Sequence, residues 1–564
     1  METISNYIVF ALAALILLFL AVLSVGSTAM ITLKNTEHTF LLPDDLRTHF
    51  CTVFLFVLFL FLTSRLKATR HFAEHINTDE RHSDRIRWIT ILLIGVLSVA
   101  FIFIVKNEPV GDPLWIYRIA EQWIRRDYSS FDPGSYLNVY PHQLGLILFS
   151  MILQAVFGLK NYLVFRLINV LALCFIYKNM TDISDLAGNR PVYGFFTLLS
   201  GVFFLPGIFY TTFVYGNLIG LSLSLGAVKR AVSYAKKERI SDAALSILCM
   251  ILALIAKSNY LIFLIGIVLY LILVMIRKPK MKTLLYLMIL IAAVSVRSLI
   301  VEAAVYSVTG HKTGEGSTMW SYVAMGLSEN EIGLYNGWHN AYDMISYKEH
   351  NGDVEAQKEE CLQKIRERIL CFASEKKYAV KFFIGKEASQ WNNPEFQALW
   401  INRVMTVSEK GRSEFAENLL TERAQYLFTK VFDEIQLLIL LGALLGLILK
   451  KEKDDLTFLF ATIFIGGFLF HTIWEAKAQY TFMYFLLLLP ISVEGFGCLI
   501  QKENFYDRKE KRLKLKNVIL CGLLLTVMGL ILIAGKEKYG KILNLDRDIA
   551  EYEAYLEELT EEEN

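Results

Sequence analysis

A few charged side chains interrupt a chain that is otherwise strongly apolar. Asp112 directly follows an apolar stretch, Lys257 interrupts the apolar run 243–276, and Arg297 lies about four residues, or about 6 Å, below the end of another stretch. A charge at membrane depth is unfavourable without a partner or a cavity, so each of the three predicts a functional group. A carboxylate there can act as a general base, and the cations can hold an anion.

Each of these charges also has a purely structural interpretation. Asp112 precedes Pro113, and this pair is typical of a helix N-cap followed by proline at the first helical position. Lys257 could extend its ammonium group to the lipid headgroups. Arg297 could pair with Glu302.

Residues 471–480 form a polar connection between two apolar stretches. Its hydrogen-bonding capacity exceeds what a simple turn requires, and its Glu475 could bind sugar hydroxyls or pair with Lys477. The alternative is a turn whose polar groups satisfy one another. The candidate binding residues of this turn are His471, Trp474, Glu475, Lys477, Gln479 and Tyr480.

Other polar and aromatic residues recur beside the ends of apolar stretches. Such residues could hydrogen-bond a sugar, or they could anchor the chain at the interface or pack on the surface. The remaining candidates for sugar or acceptor binding are Tyr140, His142, Gln143, Tyr215, Asn217, Asn259, Tyr260, Trp338 and His339.

The segment after Asp112 has the pattern of an amphipathic helix. Its apolar residues recur at helical spacing, with polar residues opposite. This pattern predicts a helix that lies flat in the interface with its tryptophan side in lipid. The apolar side comprises Trp115, Ile116, Ile119, Ala120 and Trp123.

The composition predicts an all-α polytopic membrane protein. Of 564 residues, 54% are hydrophobic, mean hydropathy is +0.42, and apolar stretches long enough to cross a bilayer recur from end to end. The net charge of +2 gives no reason to expect nucleic acid binding. Candidate spans are 7–32, 49–64, 88–106, 142–158, 161–177, 192–214, 217–234, 242–257, 260–276, 283–301, 434–450, 455–472, 480–500 and 517–534.

The charged connections predict the orientation of these spans. Basic connections at 65–87, 229–239, 277–282, 450–453 and 501–516 belong on the cytoplasmic side. Strict alternation conflicts with the three spans between 141 and 215. Either 192–214 is two half-helices broken near Ser200 and Gly201, or a neighbouring segment is re-entrant, so we expect 13 to 15 spans.

The same reasoning divides the chain into five parts. These are two additional N-terminal helices with a cytoplasmic linker (1–87), a transmembrane core (88–301) with a first outer loop (107–141), an extracytoplasmic loop domain (302–433), C-terminal transmembrane helices (434–534) and an acidic extracytoplasmic tail (535–564).

Between about Trp88 and Ala534, the chain resembles the bacterial relatives of the protein O-mannosyltransferases, which are family 39 glycosyltransferases with the GT-C fold. The resemblance rests on the order of short motifs on one membrane face. They are Asp112 with the amphipathic helix, Tyr140-Pro141-His142-Gln143, Val214-Tyr215-Gly216-Asn217, Lys257-Ser258-Asn259-Tyr260, Ala324-Met325-Gly326-Leu327 with Gly337-Trp338, and the turn 471–480.

This resemblance implies transfer of a sugar, with inversion, from a polyprenyl-phosphate-linked donor to a hydroxyl of an extracytoplasmic acceptor (a wall polymer, a glycolipid or a protein). Asp112 would be the base, and Lys257, Arg297 and Lys477 would bind the donor phosphate. Many relatives have two adjacent acids where this chain has Asp112 and Pro113, so a second carboxylate has no assigned role. The expected location is a bacterial plasma membrane, with the active site outside and lipids as neighbours.

Other functions remain open on the sequence. A transporter of lipids or small molecules would place its charges near the bilayer midplane, and a polysaccharide polymerase or ligase would use similar donors. A non-enzymatic scaffold in envelope assembly is the third alternative. No cofactor is indicated, and a divalent metal requirement is undecided because isolated acids do not define a coordination set.

Overall fold

The computed structural model describes residues 2–34, 37–329, 341–408, 412–450, 454–500, 540–543 and 545–563. The protein is an all-α polytopic membrane protein, as its composition predicts. Nine helices within the described ranges are long and apolar enough to cross a membrane, and two pairs of bent helices also pass this test. The only sheets in these ranges are two small antiparallel ribbons.

The N-terminal part is a helical hairpin with a β-ribbon at its tip. Helix α1 ends at Gly26, six residues before the predicted end of the span, because Ser27 begins a strand that pairs with the next one. The elements are α1 (Glu2–Gly26), β1 (Ser27–Ile31), β2 (Thr39–Pro43), α2 (Leu46–Arg65), α3 (Lys67–Thr78) and α4 (Glu80–Val105).

The central part contains the first loop and the helices that follow it. Its elements are β3 (Asn107–Pro109), α5 (Asp112–Ile124), α6 (Tyr136–Val139), α7 (Leu144–Phe157), α8 (Tyr162–Ala187), α9 (Pro191–Phe203), α10 (Leu205–Phe209), α11 (Asn217–Lys237), α12 (Ile240–Ala256), α13 (Leu261–Arg277) and α14 (Met281–Thr309).

The C-terminal part contains the large loop and the last described spans. Its elements are α15 (Met319–Gly326), α16 (Tyr342–Glu349), α17 (Val354–Ser374), α18 (Lys376–Trp391), α19 (Ala398–Arg403), β4 (Thr406–Ser408), α20 (Glu414–Leu419), α21 (Glu422–Leu449), α22 (Asp455–Ile473), α23 (Phe482–Ile500) and α24 (Leu545–Glu563). The expected span 517–534 and the basic connection 501–516 lie outside the described residues.

The two ends of the helix bundle differ in chemistry. We call the end with connections 107–141 and 310–421 the loop face and the opposite end the basic face. Ion pairs link the helix ends and connections of the basic face. Examples are Arg87 with Asp185, Lys229 with Asp182 and Lys280 with Glu238.

Helix α7 does not cross the bundle, although the segment 142–158 was expected to span. Its first turn lies against the loop-face end of α12, since a Cβ on Gly145 would lie 2.3 Å from the Ile255 carbonyl oxygen. Near its other end, the Gln154 amide donates to the Tyr117 carbonyl in the first loop at 2.9 Å. Both ends therefore lie at the loop face, and this removes the conflict in alternation.

The segment expected as span 192–214 consists of two half-helices. Helices α9 and α10 bend by 65° at their junction. The break falls at Phe204, a few residues beyond the predicted Ser200–Gly201 position. Pro206 follows two residues later, and proline removes a backbone donor and is tolerated at the first turn of a new helix.

Helix α5 packs against protein and not against lipid, which corrects the interfacial prediction. Ile116, Ile119, Ala120 and Trp123 are all at most 2% exposed and belong to one core cluster with residues of α7. Only Trp115 on that side is exposed, at 48%. Because α7 lies along α5, it covers the apolar stripe that lipid was expected to cover.

The large loop contributes to the main core of the bundle. Trp391 and Phe396 are at most 1% exposed and pack with residues of α22 and α23. The loop is also shorter than the predicted segment 302–433, because α14 continues to Thr309 and α21 begins at Glu422.

Helices α21 and α23 pack through glycines. A Cβ on Gly495 would lie 1.9 Å from the carbonyl oxygen of Gly442 and 2.5 Å from the backbone nitrogen of Gly446. Small residues permit such a close approach of two helices in a membrane. This contact holds the helix that follows the polar turn 471–480 against the bundle.

Candidate functional site

Several separate connections meet at the loop face and form one group of polar and aromatic side chains. We call this group the polar cleft. It is lined from five parts of the chain: the β1–β2 connection, the first loop, the 215–217 turn, the 257–260 turn and the 471–480 turn. The residues that define it are Glu37, Asp112, Tyr136, Tyr215, Lys257, Glu475, Lys477 and Tyr480.

Asp112 lies in the first turn of α5 and projects into the cleft. The N-cap of α5 is Gly111, so the structure does not support the expectation that Asp112 caps this helix. Asp112 instead accepts a hydrogen bond from Tyr136. The residue is exposed at the mouth of the cleft, but protein atoms surround its carboxyl group, and this desolvation raises the pKa of the group despite the opposing charge of Lys477.

Gly111 determines how the chain enters α5. Its φ of +63° favours glycine, and a Cβ would lie 2.8 Å from the Met405 side chain. The short ribbon of β3 with β4 holds the preceding residues in place, with Pro109 opposite Thr406. The large loop therefore fixes the position at which Asp112 begins its helix.

Lys257 lies between two aromatic rings. Its ammonium nitrogen is 4.7 Å from the ring centre of Tyr215 and 5.3 Å from that of Tyr480, and it donates to Asn217 Oδ1 at 2.6 Å. Within the described ranges, no carboxylate lies within ion-pair distance of it. Burial lowers the pKa of Lys257 to about 7, because the more distant charges of Glu475 and Asp112 offset the loss of water only in part.

The position of Lys257 follows from a close approach of two turns. Helix α12 ends at Ala256, and Lys257 has an extended backbone before the next helical turn. A Cβ on Gly216 would lie 2.2 Å from the Ala256 carbonyl oxygen, so only glycine permits this contact. The contact brings the Tyr215 ring and the Asn217 amide to the ammonium group.

Lys477 is held between two carboxylates. Its ammonium nitrogen lies 3.2 Å from Glu37 and 3.2 Å from Glu475. These two carboxylates raise the pKa of Lys477 despite its burial. Glu475 also accepts a hydrogen bond from Tyr480 at 2.9 Å. Lys477 therefore serves mainly to neutralise acids, and its charge is less available to a phosphate than the sequence suggested.

Arg297 supplies a second cation near the cleft. It donates to the Leu254 carbonyl at 3.4 Å, and the described residues contain no ion pair between Arg297 and Glu302. The charges of Arg297 and Lys257 both act on His142, so the three side chains are neighbours. Exposed apolar residues flank Arg297 on α14: Val296, Leu299 and Ile300. The cation therefore lies between the polar cleft and the lipid-facing surface.

A second row of hydrogen bonds supports the cleft. Gln143 donates to the Tyr215 hydroxyl, and Tyr140 donates to Asp343 in the large loop. Burial, with a further contribution from Glu475, raises the pKa of Asp343 to about 6. Tyr140 and Gln143 thus lie close to the cleft.

Other candidate residues lie behind the cleft wall. His471 is 0% exposed, so it can support a ligand site but cannot contact a ligand directly, and Tyr260 is 3% exposed and forms part of the wall of a cavity. Asn217, Asn259 and Gln479 line a small cavity of about 20 Å³ beside Lys257. The Trp474 ring stacks on Tyr322. Trp338 and His339 lie outside the described residues.

Sequence reasoning did not select three residues of this site. Glu37 belongs to the N-terminal hairpin, which has no counterpart in the family resemblance, and Asp343 lies in the large loop. Tyr136 stands four residues before Tyr140 and shares its aromatic character. The signal for Glu37 in the sequence is its position as an acid between two short strands.

A cavity larger than the one beside Lys257 lies at the basic face, away from these groups. It has a volume of about 390 Å³ and is lined by Asp182, Asp185, Leu186, Lys229, Arg230, Ser233 and Lys237. Its acids are paired with cations: Asp182 with Lys178 and Lys229, and Asp185 with Arg87. We therefore place the candidate site in the polar cleft.

Comparison with known proteins adds no family assignment. No protein-family model matches the chain, and no curated protein matches it. The chemistry of the cleft is therefore what indicates a function. It combines a carboxylate of raised pKa, a lysine with no carboxylate partner in the described part of the chain and an arginine beside the lipid-facing surface.

Proposed function

We propose that this chain is a membrane glycosyltransferase. It moves a sugar from a polyprenyl-phosphate-linked donor to a hydroxyl of an acceptor at the loop face. The observation that supports this most is the convergence of Asp112 and Lys257 in one cleft, although 145 positions separate them. The proposal includes the resemblance to family 39 glycosyltransferases and a bacterial plasma membrane whose outer side is the loop face.

The proposed reaction is a single displacement at the anomeric carbon. Asp112 accepts the proton of the acceptor hydroxyl while the hydroxyl oxygen attacks the anomeric carbon. The bond between the anomeric carbon and the phosphate oxygen breaks, and the phosphate leaves with the bonding electrons. Attack from the side opposite the phosphate inverts the configuration of the sugar.

The unpaired cations support binding of the leaving phosphate. Among the described residues, Lys257 has only an amide oxygen and two aromatic rings as partners, so an anion would compensate for its burial. Arg297 has one distant carbonyl partner and a buried Nε atom without a hydrogen-bond acceptor in the described structure. Its exposed apolar neighbours on α14 offer a surface for the polyprenyl chain.

The polar groups lie at one end of the helices and not at the bilayer midplane. Asp112, Glu475 and Lys477 all lie in connections outside the spanning helices. A transporter is expected to place such groups on broken helices near the midplane. This distribution favours chemistry at the membrane surface over transport.

Mass spectrometry of lipids and envelope glycans tests this proposal. Cells that lack the protein should lose one sugar from a defined acceptor, and the wild-type chain should restore it. Asp112→Asn should fail to restore the sugar, whereas Asp132→Asn, at an exposed position in the same loop, should succeed. Full restoration by Asp112→Asn would exclude Asp112 as the base. Loss of whole-chain extension would instead indicate a polymerase or ligase.

A further inference from the structure

A cluster of buried ionisable groups lies outside the polar cleft, where the N-terminal hairpin meets α21. Asp44 immediately follows β2, His49 lies in the first turns of α2, and Asp433 belongs to α21. One oxygen or nitrogen from each residue lies within 4.8 Å of the other two. The three side chains are 2–5% exposed.

The imidazole of His49 is oriented by a fourth residue. Its Nδ1 atom lies 3.0 Å from a carboxylate oxygen of Glu434. Its Nε2 atom faces the other acids, 3.7 Å from Asp433 and 4.0 Å from Asp44. A carboxylate at one ring nitrogen holds its proton there and leaves the other nitrogen as a lone-pair donor. This arrangement is typical of histidine ligands in metal sites.

Four buried atoms of the cluster have no hydrogen-bond partner within the described structure. They are both ring nitrogens of His49, Asp433 Oδ1 and Glu434 Oε2. An unpartnered buried polar atom is unfavourable by about 1–3 kcal/mol. His49 Nε2 and Asp433 Oδ1 belong to side chains that converge on the same point, so a single ligand could satisfy these two atoms together.

The charges of the cluster also do not balance, because positive charge is lacking. Asp44, Asp433 and Glu434 carry three negative charges when ionised, and Lys430 lies 3.1 Å from Asp44 with one positive charge. With a neutral imidazole the cluster therefore has a net charge of −2. Buried charges in proteins are normally paired or coordinate metals, and one divalent cation would balance this cluster.

We propose that Asp44, His49 and Asp433 bind one divalent transition-metal ion, with Glu434 as the residue that positions the imidazole. Zinc bonds of about 2.1 Å to nitrogen and oxygen give ligand separations of about 3.4 Å in a tetrahedral site. The observed separations are 3.7 and 4.0 Å from His49 Nε2 and at most 4.8 Å among the three donors, so the side chains would have to move closer together on binding the ion. Nitrogen and carboxylate donors together suit Zn²⁺ or Mn²⁺.

The metal would fasten the base of the N-terminal hairpin to the transmembrane bundle. Asp44 also accepts hydrogen bonds from Thr28 at 2.7–2.8 Å, and Thr28 lies at the start of β1. Strand β1 begins and strand β2 ends near this point, and the connection between the two strands contains Glu37. The site is thus structural, and it does not depend on the proposed transferase activity.

Metal analysis of the purified full-length protein tests this inference. A purification tag without histidine is needed, followed by dialysis against a weak chelator and elemental mass spectrometry. The wild-type chain should retain about one metal ion per molecule, and His49→Ala should lose at least nine-tenths of it. His75→Ala is the control, since His75 is exposed on the basic face, and it should retain the metal.

A second measurement distinguishes a true lack of metal binding from loss of the metal during purification and from misfolding of the variant. Added ZnCl₂ should raise the thermal unfolding midpoint of the metal-stripped wild-type chain by several degrees and leave that of Asp433→Asn unchanged. Equal metal content in wild type and His49→Ala would overturn the proposal. So would a stripped wild-type chain that does not respond to Zn²⁺, which would indicate a protonated His49 paired with its acids.

Discussion

The carboxylate of Glu37 lies 3.2 Å from the ammonium group of Lys477, although 440 positions separate the two residues. Glu475 approaches the same ammonium group from the other side at 3.2 Å. The N-terminal hairpin therefore completes the charge balance of a turn near the C-terminal end of the bundle. The positive charge of Lys477 in turn reduces the repulsion among the carboxylates of Glu37, Glu475 and Asp112.

Removing the charge of Lys477 should destabilise the protein through its two acids. We expect Lys477→Met to lower the free energy of unfolding by about 3–5 kcal/mol, since it leaves buried carboxylates without a counter-ion. Glu37→Gln alone should have a smaller effect. The double variant should recover about 1–3 kcal/mol relative to the sum of the two, as measured by equilibrium unfolding in detergent.

The control for this double-mutant cycle is Lys358 with Glu355. This pair is separated by 3.0 Å on the exposed side of α17. Its coupling should be below about 1 kcal/mol, because solvent screens exposed ion pairs. Additive effects of the Lys477 and Glu37 substitutions would show that the two residues do not interact in the folded protein.

Loss of the Lys257 charge should weaken donor binding at alkaline pH. With a pKa of about 7 in the free protein, Lys257 is charged below pH 7 and loses its proton as the pH rises through this value. The KM for a phosphate-linked donor should therefore be constant at lower pH. Above pH 7 it should rise by about tenfold per pH unit until the neutral amine sets the limit.

Lys257→Arg separates charge from titration. The guanidinium group stays charged over this range, so the KM of this variant should not change between pH 6 and about pH 9. Lys257→Ala should raise KM by about 10–100-fold at pH 6, since hydrogen bonds to charged groups contribute about 1.5–3 kcal/mol. An alkaline rise in KM that persists in Lys257→Arg would assign the limit to another group.

Asp112→Asn should lower kcat by about 10²–10⁴-fold, the contribution of a general base, and change the donor KM little. The amide oxygen of asparagine can still accept the hydrogen bond from Tyr136. In the wild-type protein, kcat should fall as the pH drops through the raised pKa of Asp112, because the protonated acid cannot accept the acceptor's proton. Unchanged kinetics in Asp112→Asn would contradict this role.

Gly495→Ala should loosen the contact between α21 and α23. The new methyl group would lie 1.9 Å from the Gly442 carbonyl oxygen, so one of the two helices must shift. We expect a loss of about 1–3 kcal/mol in the free energy of unfolding. Gly226→Ala in α11 is the matched control, since its nearest atom is 3.6 Å away, and it should be neutral or stabilising.

Local sequence patterns determine which segments form helices, but not always what packs against those helices. The apolar stripe of α5 was correctly read as one face of a helix, yet the structure covers it with α7 in place of lipid. The hydropathy of the segment 142–158 is compatible with a span, but the helix stays at the loop face because its ends contact Ile255 and Tyr117. Hydropathy reports what a segment can be buried in, whereas tertiary contacts decide between lipid and protein.

The sequence by itself determined the membrane class, the helical fold and the chemical candidates Asp112 and Lys257, because hydrocarbon demands long apolar helices and makes isolated charges conspicuous. Only the tertiary structure decided which charges are neutralised. Glu37 and Glu475 enclose Lys477, Lys257 has no carboxylate partner among the described residues, and His49 meets Asp433 across 384 positions. Such pairings depend on how distant helices pack, and no local spacing encodes them.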